Sequence, residues 1–224
     1  MNLLATYKRL YKHYGPQDWW PAETAFEVMV GAILTQNTAW SNVELAIANL
    51  KQHKALDAES ILRVSDSRLG SWLRPSGYFN IKSRRLKNLC RWYLDYGGHE
   101  TLAQLDTETL RHTLLAVNGV GPETADDILL YAFARPVFVI DAYTRRIFTR
   151  LGLIEESLGY EALRGMFEQD LLQTRKRGRR RQGTLVRLYN EYHALIVVHG
   201  KEICRPRPLC KNCCLAAQCR YNIQ

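Results

Sequence analysis

The sequence lacks any apolar run near the roughly 18 residues that a membrane-spanning helix needs. Met1–Lys12 also lacks the apolar core of a secretory leader. Both absences argue against membrane insertion or export, so the expected location is the cytoplasm. Cysteine is almost missing until the end: Cys90 stands alone, and the other five fall between Cys204 and Cys219. A disulfide-stapled secreted domain would spread its cysteines along a short chain, so this clustering points to metal instead. Strand-type alternation is scarce, and internal repeats are absent. Acidic residues are in deficit, 22 against 31 Lys and Arg, leaving a net charge of +9. Such an excess favours a polyanionic partner, because neutralising phosphates releases their condensed counterions. Charge suggests the partner and says nothing of the chemistry.

What is present reads as helix nearly throughout. With 224 residues and 46% hydrophobic content the chain can build one large core or two smaller ones. Pro21 suits the first turn of a helix, and Phe26, Met29, Val30, Ile33 and Leu34 follow at helical spacing. Arg74-Pro75-Ser76-Gly77 interrupts, and Ile81–Tyr96 resumes with a basic outer face. Glu108–Val117 is amphipathic; Pro122 restarts a helix whose run Ile128–Ala134 is apolar on most sides. Val137–Ile140 reads as extended, with Asp141 placed to cap a helix ending near Leu151-Gly152. Arg175–Arg181 holds six cations in seven positions and reads as a solvated loop before a last helix, Leu185–Val198.

Two segments carry chemistry. Between two helices lies Val117-Asn118-Gly119-Val120-Gly121-Pro122-Glu123-Thr124-Ala125. Its glycines permit positive φ and close backbone approach, and a helix start with free amides follows, a nest suited to a phosphate oxygen. A bare Gly-x-Gly between helices would otherwise be a plain turn. Near the end, Cys204, Cys210, Cys213 and Cys219 have the spacing C-x5-C-x2-C-x5-C, with Cys214 beside the third. Four thiolates in one loop suit either a tetrahedral zinc or a cubane iron–sulfur cluster.

The hairpin segment resembles that of the helix-hairpin-helix DNA glycosylases, the endonuclease III superfamily. Val137-Phe138-Val139-Ile140-Asp141 follows at the distance that superfamily uses for its catalytic aspartate, and the cysteine tail falls at the matching place. The resemblance implies an all-α, two-lobed fold. One lobe would be a helical barrel over 26–131 ending in the hairpin; residues 1–25 with 132–224 would form the second, including a cluster loop at 204–219. It implies a [4Fe–4S] cluster on Cys204, Cys210, Cys213 and Cys219, although the first gap is one residue shorter than usual, and Cys214 competes with Cys213 as third ligand. The partner would be double-stranded DNA containing a damaged base, met by a monomer. Asn118, Gly119, Val120 and Gly121 would hold the DNA backbone, and Gln36 would fill the gap left by the extruded base.

Asp141 would be the catalytic carboxylate, stabilising oxocarbenium character on the sugar or orienting water. In endonuclease III a lysine before Thr-Ala attacks the sugar; here Glu123 stands there, and a carboxylate forms no imine. A monofunctional glycosylase is therefore expected. Trp19-Trp20-Pro21, Leu34–Trp40 and Arg74–Asn80 resemble the 3-methyladenine DNA glycosylase III branch. That likeness implies a base sandwiched by Trp19 and Trp40, edged by Pro21, with Glu123 and Lys201 bordering the pocket. Indole faces attract a cationic alkylated adenine by about 0.5–2 kcal/mol. The cysteine tail departs from that branch, whose best-matching members lack it; cluster-bearing relatives favour oxidised pyrimidines or mismatches. Those substrates, and a lesion binder without catalysis, are the rival expectations.

Overall fold

A computed structural model describes residues 2–17, 19, 22–176 and 183–222. Pro21, expected at a helix start, and Arg177–Arg181 of the basic tract lie outside the described residues; Arg175 and Lys176 fall in the last turn of a helix. Among the described residues all regular structure is helical, and Val137–Ile140 runs extended without a strand partner. No helix among them is long and apolar enough to cross a membrane. The chain divides into two compact units, Pro21–Arg135 and Met1–Trp20 with Pro136–Gln224.

The first unit begins with α2 (Ala25–Leu34); α1 (Leu3–Tyr14) belongs to the other. Its start is set by Thr24, whose hydroxyl accepts the Glu27 N–H at 3.1 Å, while Glu27 reaches back to the Glu23 N–H. This is a capping box shifted by one residue, and it places the helix start at Ala25. Next come α3 (Trp40–Gln52), α4 (Ala58–Arg63) and α5 (Asp66–Leu73). They are followed by α6 (Phe79–Asp95), α7 (His99–Leu102), α8 (Thr107–Leu115) and α9 (Pro122–Asp127). A π-helical turn at Ile128–Ala132 continues α9 and packs on α2; α4 and α5 pack on α6. Met29, Val30, Ile33, Leu86, Leu89, Leu114 and Leu129 are fully buried among these helices.

The basic outer face expected on α6 is carried by Arg84 and Arg91, which are exposed, but two of its cations depart from it. Lys82 and Lys87 point inward and are buried. Each is held by oxygens: Lys82 Nζ donates to the carbonyls of Leu34 at 2.8 Å and Ser76 at 2.6 Å, Lys87 Nζ to the Val64 carbonyl and the Asp66 carboxylate. Burial, with Arg85 nearby, lowers the Lys82 pKa to about 8. A charge count along the helix cannot see carbonyls that arrive from other segments.

The second unit contains α1 (Leu3–Tyr14), α10 (Ala142–Leu151), α11 (Tyr160–Lys176) and α12 (Gly183–Glu202). Helices α1 and α10 both pack on α12. Its core is aromatic: Phe138 lies 4.8 Å from Phe167 and 5.4 Å from Tyr189 between ring centroids, and Phe148 lies 4.8 Å from Phe167. These edge and tilted contacts seat the extended segment that delivers Asp141.

Candidate functional site

In the second unit, the extended run ends at Asp141, which caps α10. Its Oδ1 accepts the Thr144 N–H at 2.6 Å and the Thr144 hydroxyl at 2.7 Å. The other oxygen, Oδ2, stands 3.5 Å from His193 Nε2 on α12. Asp141 is 8% exposed. Burial pushes its pKa up, but the His193 imidazole and the two Thr144 donors outweigh this and hold it below the ordinary carboxylate range. The Trp19 ring lies 5.9 Å from the His193 ring, tilted by 45°. Indole, imidazole and an ionised carboxylate thus follow one another within this unit. The capping role weighed from sequence is present, and it leaves one carboxylate oxygen outside the cap.

In the first unit, the hairpin between α8 and α9 is braced from inside. Arg111 on α8 makes a bidentate pair with Asp126 on α9, at 2.7 and 3.2 Å, and both side chains are buried. The Val120 N–H is turned inward to the Val117 carbonyl, and the Val120 side chain is buried, so this residue anchors the turn. Among the described residues the amides of Asn118, Gly119 and Gly121 donate to no acceptor. Gly119 has φ 101°, and a Cβ there would meet Arg85 Cγ at 2.3 Å. At Gly121 φ is −95°, and a Cβ would meet nothing within 4 Å. The two glycines therefore differ. Gly119→Ala is expected to destabilise the fold, whereas Gly121→Ala should melt like wild type yet weaken duplex binding several-fold, because its methyl occupies the approach to the amides. Thermal melting beside fluorescence anisotropy checks both; unchanged duplex affinity in Gly121→Ala would show that the open side of the turn meets no DNA.

Gln36 follows the α2 C-cap, Thr35, and lies against this hairpin. Its Nε2 donates to the Gly119 carbonyl and the Thr124 hydroxyl, both at 3.0 Å, and its Oε1 accepts from Arg85 Nη1 at 2.6 Å. Trp40 opens α3, half-buried, its ring seated where Gly31 leaves room: a Cβ at Gly31 would meet Trp40 Cη2 at 3.2 Å. Glu123 is exposed in the first turn of α9, and Lys201 is exposed in the last turn of α12, beside Gly200. His193, Thr144, Arg85 and Lys82 were not singled out from sequence. For His193 no local signal exists, since 52 positions separate it from Asp141. Lys82 and Arg85 had one, two cations three residues apart on an amphipathic helix.

The cysteine loop is held by α10. Arg146 donates to the carbonyls of Cys204 and Gly200, at 2.7 and 2.9 Å. Arg150 donates to the carbonyls of Arg205 and Pro206 and lies 3.4 Å from Cys204 Sγ. None of the six cysteines is joined in a disulfide. Burial pushes the Cys213 pKa up to about 11, and Cys214, Cys204 and Cys219 add to the rise, so these sulfurs sense one another. Cys214 is also raised by burial but faces Arg9, which opposes the rise. His199, buried on α12, lies 3.6 Å from Cys213 Sγ through Nε2 and 2.9 Å from the Tyr14 hydroxyl through Nδ1. The donor set is all sulfur and suits a thiolate-bound metal group, though among the described residues no three His, Cys, Asp or Glu side chains are gathered as a ready ligand set.

Among the described residues the regular structure is all helical, with a braced Gly-x-Gly hairpin and, further along the chain, a buried aspartate capping α10. Residues 30–170 match the family model described as HhH-GPD superfamily base excision DNA repair protein, and the chain belongs to that family. It is 48% identical to a provisionally named DNA repair glycosylase of Methanocaldococcus jannaschii, over 95% of this chain and 93% of the relative. It is 27% identical to an endonuclease III of Sulfolobus acidocaldarius, over 88% and 82%. Among solved structures it resembles the H. pylori 3-methyladenine DNA glycosylase bound to 1,N6-ethenoadenine, with a TM-score of 0.77, 31% identity and coverage of 90% and 98%. A non-covalent endonuclease III–DNA complex, 19% identical with a TM-score of 0.81 over 98% and 94%, shares the fold.

Proposed function

We propose that this DNA repair glycosylase is monofunctional, extrudes an alkylated purine of the 3-methyladenine type from duplex DNA and hydrolyses its bond to the sugar. One observation carries the reading: Asp141 is buried, with Oδ1 committed to Thr144 and Oδ2 beside His193, partners that hold its pKa below the ordinary carboxylate range. Such a carboxylate is preorganised to stabilise positive charge as the glycosidic bond breaks. The alkylated base already leaves well, so Asp141 supplies electrostatic stabilisation and orients the attacking water. Trp19 and Trp40 would stack on the base, with Pro21, Glu123 and Lys201 at its edges. Asn118, Gly119, Val120 and Gly121 would hold the backbone while Gln36 enters the duplex. The likeness to the H. pylori enzyme supports the substrate, and Glu123 in place of a lysine supports the lack of lyase chemistry.

A lesion panel scored separately for free base and for strand cleavage tests this. Release of 3-methyladenine without cleavage, and no product trapped by borohydride, is expected. The endonuclease III relatives favour a second reading, oxidised pyrimidines or mismatches, which thymine-glycol and mismatch duplexes would reveal. Binding to damaged duplex without release from any substrate would leave the third reading, a lesion binder.

We also propose that Cys204, Cys210, Cys213 and Cys219 hold a [4Fe–4S] cluster, which would tie the basic loop into a fixed shape for phosphate contact. Cys213 is preferred to Cys214 because it preserves the x2 and x5 gaps of the cysteine pattern. Anaerobically purified protein should be brown, and the colour should disappear in Cys213→Ser but persist in Cys214→Ser. Colourless wild-type protein containing zinc would overturn the assignment.

A further inference from the structure

We infer that Arg85 is a positioning residue: it orients the Gln36 carboxamide and couples it to the hairpin, so that backbone capture and entry of Gln36 into the duplex act as one event. The inference rests on the glycosylase reading and concerns residues of one compact unit. Three observations carry it.

The first is direction. A primary amide can be flipped, and nothing in its own shape decides which end faces the hairpin. Arg85 Nη1 donates to Gln36 Oε1 at 2.6 Å, a short bond from a permanent cation. With the oxygen thus fixed, the NH2 end faces the Gly119 carbonyl and the Thr124 hydroxyl, both at 3.0 Å. The second is fit. The Arg85 stem lies on Gly119, where a Cβ would come within 2.3 Å of Cγ and 2.8 Å of Cδ. The same side chain therefore touches the hairpin with its methylenes and Gln36 with its guanidinium.

The third is the way α6 grips the exit of α2. Lys82, three residues before Arg85 on α6, holds the Leu34 carbonyl. Two cations of one helix face thus bind the chain at Leu34 and at Gln36. Just beyond, Asn37 has φ 55°, so the chain turns sharply directly after the gripped residue. A Gln36 that moved independently of the hairpin would need none of this.

The test is a double-mutant cycle on the full-length protein with R85M, Q36A and the pair. Methionine keeps an aliphatic stem on Gly119 and removes the fork, and thermal melting checks that the fold persists. Affinity is measured for a duplex carrying a tetrahydrofuran abasic analogue and for the same duplex undamaged. R85M should weaken abasic binding about tenfold when Gln36 is present and less than about twofold in the Q36A background, the non-additivity of two groups in one network. Equal losses in both backgrounds, or equal losses on damaged and undamaged duplex, would overturn the inference and make Arg85 an ordinary phosphate cation. Hydrogen exchange at the bonded amides of Val117 and Val120 supplies a DNA-free readout: R85M should speed it only when Gln36 is present, and equal acceleration in both backgrounds also overturns the coupling. Neither readout involves bond cleavage. A wild type that releases no base therefore sinks the glycosylase reading while the cycle still judges Arg85.

Discussion

Asp141→Asn is expected to lower single-turnover base release by about 10²–10³-fold, the scale lost when one preorganised electrostatic group is removed from a reacting centre. Asparagine keeps an oxygen for the Thr144 N–H and caps helices as well as aspartate, so the fold and duplex binding should persist, with melting lowered only by the charge lost beside His193. kcat and kcat/KM should fall together, as for an interaction made in the transition state. The acid limb of the rate profile gives a second check. The Asp141 pKa is lowered from 3.8 in the folded protein, so its ionised form, and the stability it brings, are fully present above the ordinary carboxylate range. Both are lost as pH falls through the depressed folded value. Activity should therefore not fail through this group at mildly acid pH. Release by Asp141→Asn within a few-fold of wild type would leave Asp141 as a helix cap and nothing more.

The second large effect is expected at the hairpin brace. Asp126→Ala leaves the Arg111 guanidinium buried without its bidentate partner, at a cost of about 3–5 kcal/mol. For a chain of this size that corresponds to a fall of about 6–20 °C in Tm. Replacing both partners, Arg111→Met with Asp126→Leu, should recover much of it, because no charge is then stranded. Differential scanning calorimetry of the three variants measures this directly. A Tm within about 1 °C of wild type in Asp126→Ala would mean that this pair contributes little to holding the two helices together.

Much of this architecture was legible because its signals are local. Apolar periodicity places α2, α6, α8 and α12 to within a few residues, and Asp141 declares itself as a cap by preceding a helical pattern. Helix ends set by reciprocal side-chain bonds are less legible: Thr24 and Glu27 start α2, beyond the start that a proline at position 21 suggests. Inward-pointing cations were not legible, because Lys82 is satisfied by the carbonyls of Leu34 and Ser76, 48 and 6 positions away. His193 escaped for the same reason, since only packing of α12 on α10 brings it to Asp141. Gln36 could be chosen from its motif, but its attachment to Gly119 and Thr124 exists only in three dimensions.

Helix α10 has the carboxylate at its first turn and, along its later turns, two guanidinium clasps on the sulfur-bearing loop. Ten helical residues make a stiff rod about 15 Å long. An oxidant or thiol reagent that unseats the loop would strip the rod's far end of three carbonyl partners, those of Cys204, Arg205 and Pro206, and leave it held by its packing on α12.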